Sequence, residues 1–291
     1  MKGVKRRSRL SYRARCAALA LPSLLGVAMF YVVPYGNMLY LSLLESNFSR
    51  KFVGLRNYIG VFQNKLFQLA LANSFLFTVL ATLLAVALAL TLSLLLFSLA
   101  SDRLRNVLRY AFITPMLLPT AGIVIIWRVL FADENLTQTL LQGLENGWRA
   151  VLPVLTLFIW KNTGYCLILI SAAIGRLSPS VMEAAKLDGA GGFRIHRYMT
   201  IPLIRPTLFF CANLIVLYSF RIFKESYLYY ETAFPPDSVY TVPYFINNHF
   251  LRLDYQRSAA AAVLFSAVVL ILVLVGFRLD RSAIQDSEET G

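Results

Sequence analysis

The chain has 291 residues, 58% of them hydrophobic and 15% charged, with a mean hydropathy of +0.62 and a formal net charge of +13. Soluble domains carry about 25% charged residues, so an ordinary soluble fold is excluded, and apolar runs of about 20 residues, enough to cross a bilayer core, recur along the chain. The basic excess does not point to nucleic acid, because Lys and Arg sit at the ends of apolar runs, as membrane topology requires. Cys16, Cys166 and Cys211 lie in or beside apolar runs, and His196 and His249 have no ligand-type neighbours in sequence. A metal site or a disulfide framework is therefore not expected. There is no G-x-x-x-x-G-K-[ST] phosphate loop, so the chain is not expected to hydrolyse ATP itself.

In chain order, a basic arm covers residues 1–16, with seven Lys/Arg and no acid in MKGVKRRSRLSYRAR. It could begin a secretory signal, but no convincing small-residue cleavage site follows. A retained first span is expected from about Ala17 to Leu44, with Pro22 and Pro34 inside it. The next segment, SNFSRKFVGLRNYIGVFQNKLF, suggests a short interfacial helix through Val61, Phe62 and Leu66. Span two follows from about Leu69 to Leu99. A short basic loop (Asp102, Arg103, Arg105, Arg109) then leads to span three, about Ala111 to Phe131. Pro115 and Pro119 in that span free carbonyls that neighbours or a cavity must satisfy. An acidic loop around Asp133 and Glu134 precedes span four, about Val151 to Ile174. Span five runs from about Leu203 to Tyr218, an outer stretch from Glu225 to Arg257, and span six from Ala259 to Phe277. The whole reads as an all-α integral membrane protein: a six-span domain over 17–279 and a mainly acidic tail over 280–291. Of the 28 Lys/Arg, about 17 fall in the N-terminus, the 101–110 loop, the loop after span four and the tail, against about seven in the opposite loops. That set, and both termini with it, is expected to be cytoplasmic.

The loop after span four, residues 178–206, is the longest polar interruption in the C-terminal half. Ser178 is a good helix N-cap and Pro179 suits the first helical position. A short helix to about Leu187 is expected, broken by Gly189, Gly191 and Gly192, then a second from about Phe193 to near Pro202. Glu183-Ala184-Ala185, Gly189 after three further residues and Met199-Thr200-Ile201-Pro202 after nine more resemble the EAA signature (EAA-x3-G-x9-I-x-L-P) of permease subunits of binding-protein-dependent ABC importers. Met199 stands for the usual Ile and Ile201 for the usual Leu. The FVGLRNY segment is similar to the FVGLxNY that follows the first span in carbohydrate-type (maltose-type) permeases.

The resemblance implies a type I ABC importer permease fold with cytoplasmic coupling helices, in the bacterial inner membrane. Its implied partners are a homologous second permease, forming a heterodimer, two ATPase subunits and an extracytoplasmic solute-binding protein. No cofactor is implied for this chain; ATP and Mg would be held by the ATPase. Glu183, Ala184, Ala185, Asp188, Gly189, Gly192 and Pro202 would form the ATPase-coupling surface. The small residues would allow close approach and Glu183 and Asp188 would pair with basic residues across the contact.

Ionisable side chains inside the membrane are costly and usually face a cavity or a partner. Arg128, near the outer end of span three, reads as a residue snorkelling to headgroups beside Trp127. Arg221 and Lys224 lie near an outer boundary, where two readings stand: snorkelling to headgroups, or local pairing with Glu225 at i+4 from Arg221. Lys161 is near the middle of span four, too deep for easy snorkelling, among Trp160, Asn162, Thr163 and Tyr165. That patch suits a sugar, whose ring faces stack on aromatics and whose hydroxyls need donors and acceptors, or a polar contact with a sister subunit. By resemblance, substrate contacts would fall near Lys161, Asn162 and Tyr165, and near Tyr218, Ser219 and Ile222. Lys161 with Arg221 would then favour an acidic oligosaccharide. The expected function is passage of a sugar or oligosaccharide delivered by a binding protein. Alternatives are the same class with glycerophosphodiester or polyol cargo, an ion-coupled secondary transporter, for which the midspan acids are absent, and a non-transporting scaffold.

Overall fold

The computed structural model describes residues 16, 17, 19–46, 48–99, 101–132, 146–178, 180, 183, 185, 187 and 189–289, with residues 132, 146 and 279–289 described by backbone alone. Most of the basic arm, the acidic 133–134 loop, Ala184 and Asp188 lie outside the described residues. Among the described residues four helices are long and apolar enough to cross a membrane, and two bent helix pairs bring the number to as many as six. Apart from one isolated bridge, the described residues contain no β-structure. The chain divides into two compact units, residues 1–63 with 249–264, and residues 64–248 with 265–291.

In the first unit, helix α1 (Leu19–Ser42) is the expected first span. Pro34 cannot donate a backbone hydrogen bond and its ring crowds the carbonyl four residues back. The helix meets this with a π-helical turn over Ala28–Val32, where the Val33 N–H reaches the Ala28 carbonyl, and continues without a break. After α1 the chain turns back on itself. Glu45 N–H donates to the Lys51 carbonyl (2.9 Å), Val53 N–H to the Leu43 carbonyl (2.8 Å), and Gly54 takes a left-handed φ of +57°. Asn57 then donates to the carbonyls of Ser42 (2.9 Å) and Leu44 (2.7 Å), and the Tyr58 hydroxyl lies 2.5 Å from Ser42 Oγ. The FVGLRNY residues thus close the end of α1, whose last carbonyls have no partner within the helix. Helix α2 (Arg56–Gln63) buries Val61 and exposes Phe62. Leu66, expected in the same helix, belongs to the next one.

In the second unit, α3 (Lys65–Ser98) starts at Asn64, whose side chain accepts from Leu66 N–H and Phe67 N–H. Its 34 residues span about 50 Å, more than the hydrocarbon thickness of about 30 Å. Ala70, Ser74, Thr78, Ala81, Ala85, Ala89 and Ser93 form a buried stripe at spacings of three and four residues. Small side chains on one face let other helices approach closely. Helix α4 (Asp102–Leu117) includes the segment expected as a basic loop. Arg105 donates to the Leu96 carbonyl (3.1 Å) and the Leu99 carbonyl (2.7 Å), a cation placed on the negative end of α3. Span three is therefore two helices, α4 and α5 (Thr120–Ala132), bent by 100°. The bend lies at Leu118-Pro119, because a residue before proline is pushed to extended backbone, and Leu118 has ψ 147°.

Helix α6 (Asn146–Ile174) is the centre of this unit. Its buried Val154, Leu155, Phe158, Cys166, Leu167, Ile170 and Ile174 form one apolar core with α3 and with the helix after the 178–206 loop. Gly164 crosses α4 so closely that a Cβ there would lie 1.9 Å from the Phe112 carbonyl oxygen. The second half of the loop is α7 (Gly192–Leu203), which leads into α8 (Arg205–Ser219) across a 70° bend. The stretch expected as an outer connection is largely helical: α9 (Phe223–Tyr230), a 3-10 turn over Asp237–Val239, and α10 (Val242–Leu251). Tyr244 and Phe245 of α10 are fully buried, Val242 N–H donates to Ser74 Oγ (3.0 Å), and Asn73 donates to the carbonyls of Asp237 and Tyr240. Helix α11 (Tyr255–Glu289) contains the sixth span.

Candidate functional site

Two places in the second unit gather the candidate residues. The first is the 178–206 loop. Ser180, Glu183, Ala185 and Leu187 are helical, Glu183 is exposed and Ala185 half-buried. The Ala190 N–H donates to the Ala185 carbonyl (3.0 Å) across Gly189, whose φ is +80°. This is the glycine-terminated C-cap in which the second residue past the helix end bonds back to its last turn. Gly189 is thus required by backbone conformation. Gly191 is not, with φ −66° and ψ 157°, and Cβ atoms on Gly191 and Gly192 would meet nothing within 4 Å. Of the three glycines expected to break the first helix of the loop, one does so through its φ; the others leave the surface bare.

Helix α7 starts from Gly191 as its extended N-cap and passes through a π-helical turn, His196–Thr200, before Pro202. The Ile201 N–H reaches the His196 carbonyl, the same offset that precedes Pro34, so Pro202 sits within α7. Ile195 and Thr200 are buried on one side, while Leu187 (89% exposed), Phe193 (82%) and Tyr198 (74%) project outward. Large apolar side chains grouped on a loop outside the apolar spans mark a contact surface for another protein. The small and acidic residues of this loop are legible in the sequence; the exposed large ones follow only once the buried face is known.

The second place is the polar patch in span four. Lys161 Nζ donates to Glu225 Oε1 (2.7 Å) and to Thr120 Oγ1 (2.8 Å), with the Lys161 and Glu225 side chains 16% and 14% exposed. Thr120 begins α5 at the 100° bend and Glu225 is in the first turn of α9, so this ion pair ties three helices together. Glu225 therefore pairs with Lys161 rather than with Arg221 four residues back. Arg128 forms an ion pair with Glu231, so it is neutralised by protein rather than snorkelling alone. Beside these pairs Trp127 and Trp160 stack at 4.9 Å, and Trp127 Nε1 donates to Thr156 Oγ1 (3.2 Å).

The other expected contacts are arranged differently. Asn162 donates to the Phe158 carbonyl (2.8 Å) and Thr163 to the Ile159 carbonyl (2.7 Å), both within their own helix. Ser219 is buried, with its hydroxyl 2.7 Å from the Val216 carbonyl in its own helix and 2.8 Å from Thr78 Oγ1, the latter a bond between α8 and α3. Ile222 is buried, Tyr218 packs half-buried against the core, and Tyr165 is half-buried. Arg221 and Lys224 are exposed. Thr120, Glu225, Trp127 and Glu231 were not picked out as members of this site. On α9 the Tyr230 hydroxyl donates to the Ala150 carbonyl (2.5 Å), and burial pushes that phenol up from its ordinary value.

Residues 89–285 match the family model described as binding-protein-dependent transport system inner membrane component. The osmoprotective compounds uptake permease protein GgtC of Synechocystis sp. is 26% identical over 88% of this chain and 95% of its own length. The sn-glycerol-3-phosphate transport system permease protein UgpA of Yersinia pseudotuberculosis is 30% identical over 89% of this chain and 92% of its own. A chain from the crystal structure of a bacterial alginate ABC transporter in complex with an alginate pentasaccharide-bound periplasmic protein superposes with a TM-score of 0.80. It is 18% identical, covering 94% of this chain and 96% of that one.

Proposed function

The chain belongs to the family of binding-protein-dependent transport system inner membrane components, and from that premise we propose that it is the permease subunit of an ATP-driven importer for a sugar or other small polyhydroxylated solute. The observation that carries the mechanism is the Gly189-capped loop with Leu187, Phe193 and Tyr198 exposed. A separate ATPase, holding ATP and Mg, docks on this loop from the cytoplasm, and Glu183 and Asp188 meet its basic residues. A second, homologous permease completes the pathway, and an extracytoplasmic binding protein delivers the cargo. Both termini are cytoplasmic. Closure of the ATPases draws the loops together and the spans rock between inward- and outward-facing arrangements, a two-state element biased by nucleotide.

On the cargo, the Lys161–Glu225 and Arg128–Glu231 pairs leave the patch near neutral, with two stacked tryptophans and several hydroxyls. That favours an uncharged sugar or polyol over an acidic oligosaccharide, because the Lys161 ammonium is already matched. Lys161, Asn162, Tyr165 and Tyr218 remain the residues offered to cargo, and Ser219 reaches it only if its bond to Thr78 opens. A second reading is a phosphate-bearing polyol, favoured by the exposed Arg221 and Lys224 and by the 30% identity to the glycerol-3-phosphate permease. Gly189→Asp tests the coupling: the variant is expected to insert normally with its partners while uptake per ATP falls at least about tenfold. Normal coupled uptake would overturn the docking role. Competition of uptake by neutral glycosides against polyol phosphates separates the two cargo readings.

A further inference from the structure

Helix α2 has three sides of different composition. Asn57, Tyr58 and Val61 turn inward, and Val61 is buried. Leu55, Ile59 and Phe62, at spacings of four and three residues, form an apolar strip, each more than half exposed. Arg56, Gly60 and Gln63, at the same spacings, form an exposed polar strip beside it. An exposed apolar strip next to a cationic one is the pattern of a helix lying in a membrane interface. The depth of α2 is set by α1, whose 24 residues span about 36 Å against a hydrocarbon thickness of about 30 Å. The end of α1 therefore lies at headgroup level. Asn57 and Tyr58 bond to Ser42 and Leu44 at that end and hold α2 there.

An open groove of about 860 Å³, in the size range of small-molecule sites, runs along the border between the two strips. Leu55, Arg56, Ile59 and Gln63 line it, and Glu45, Asp254 and Arg257 of the same unit complete it. Asp254 is already matched: it accepts from the Arg257 N–H (3.3 Å), and its carboxylate lies 3.1 Å from His249 Nδ1 and 3.5 Å from the Arg257 guanidinium. Glu45 and Arg56 are not. Glu45 accepts from Ser49 Oγ (3.2 Å), but among the described residues neither Glu45 nor Arg56 has an ion-pair partner, although both line this groove. Opposite charges that share a groove without touching leave room for a ligand carrying both signs. A neutral sugar would use neither charge, and a phosphate alone would meet Arg56 but be repelled by Glu45. A zwitterionic headgroup satisfies both, and the apolar strip beside them receives the first carbons of its chains.

We propose that this groove binds a zwitterionic phospholipid of the surrounding bilayer, its phosphate on Arg56, its ammonium on Glu45 and its acyl chains starting along Leu55, Ile59 and Phe62. The site lies wholly in the first unit and does not depend on the cargo reading; only its assignment to the outer leaflet rests on the orientation proposed above.

The test uses the full-length chain purified with its accompanying subunits, in nanodiscs of equal parts palmitoyl-oleoyl phosphatidylethanolamine and phosphatidylglycerol, with retained lipid read by native mass spectrometry. Glu45 and Arg56 are exposed, so their substitution leaves the fold intact, and Glu45→Gln keeps an acceptor for Ser49. The wild type is expected to retain one phosphatidylethanolamine per chain beyond the number kept by the Glu45→Gln, Arg56→Gln double variant. Arg56→Gln alone is expected to lower retention of both lipids about fivefold, the effect of one lost hydrogen bond. Glu45→Gln alone is expected to shift the preference to phosphatidylglycerol, because the phosphate keeps Arg56 while the ammonium loses its carboxylate. An unchanged preference in Glu45→Gln, or unchanged retention in Arg56→Gln, would overturn the assignment. So would a photo-crosslinker at Ile59 that captures a polypeptide in place of lipid.

Discussion

Removing one member of the Lys161–Glu225 pair gives the sharpest test of the second unit. The two side chains are 16% and 14% exposed, so neither charge can recover full hydration when its partner is lost. Breaking such a pair costs about 3–5 kcal/mol, whereas replacing both members by apolar residues of similar volume is about neutral or better. Some solvent access and the Thr120 hydroxyl place this pair at the lower end, about 3 kcal/mol for Lys161→Met or Glu225→Leu. For a chain of this size, about 1 kcal/mol moves a melting midpoint by about 2–4 °C. Each single variant should therefore melt about 6–12 °C below wild type, and the double variant within about 3 °C of it. The assay is the fraction remaining monodisperse in mild detergent after heating, compared at one fixed scan rate because membrane proteins unfold irreversibly. Non-additivity carries the result. If the double variant falls by the sum of the singles, the pair is not a unit. If Lys161→Met abolishes uptake with no thermal shift, the ammonium serves cargo and the structural role of the ion pair is refuted.

Four further outcomes follow from individual residues. Gly164→Ala would place a Cβ 1.9 Å from the Phe112 carbonyl oxygen and 2.9 Å from Ile113 Cα, both backbone, so α4 and α6 must separate. It should cost about 3 kcal/mol or more, read as a loss of folded protein in the membrane. Gly189→Ala forces an L side chain to φ +80°, at a cost of about 1–2 kcal/mol, and should weaken coupled uptake. Gly191→Ala, at φ −66° with open space around it, should leave folding unchanged, so any loss of ATPase stimulation there reports the partner surface. Asn57→Ala leaves the carbonyls of Ser42 and Leu44 without their amide and should cost about 2 kcal/mol, seen as faster proteolysis in the 44–55 turn.

Much of the architecture was legible because the membrane imposes it locally. A span shows itself by its own apolar length, and the 178–206 loop by its own punctuation, so α1, α3, α6 and α11 fall where hydropathy puts them. FVGLRNY was legible as a resemblance, yet its physics lay in Asn57 reaching back 13 and 15 residues to two carbonyls. Sequence spacing failed where a tertiary contact outcompeted a local one. Glu225 stands at i+4 from Arg221, the natural helical partner, but Arg221 lies in the turn before α9 and remains exposed, while Lys161 has few other ways to be matched at its depth. Similarly, the Arg103–Arg109 segment looks like a loop by its charge alone. It is helical because Ser101 caps it and Arg105 turns inward to the end of α3. The fold of the 225–257 stretch was hidden because its buried Tyr244 and Phe245 follow no extended apolar run.

The two proline-associated π turns bear on how the proposed machine would transmit force. A proline inside a helix normally kinks it, because one hydrogen bond is lost and the ring displaces a carbonyl. At Pro202 the widened turn absorbs the ring, so the helix that begins at the exposed loop stays continuous to Leu203. The direction of the chain changes at the next residue, Ile204, which is 2% exposed and packed in the same core as Ile174, Cys211 and Ile215. A bend held by packing on all sides resists opening more than a free linker does, since closing or widening it must repack a dense interior. Displacement of α7 by a docked ATPase would therefore reach α8 and the end of α6 together, through Ile204, rather than being lost in a flexible joint.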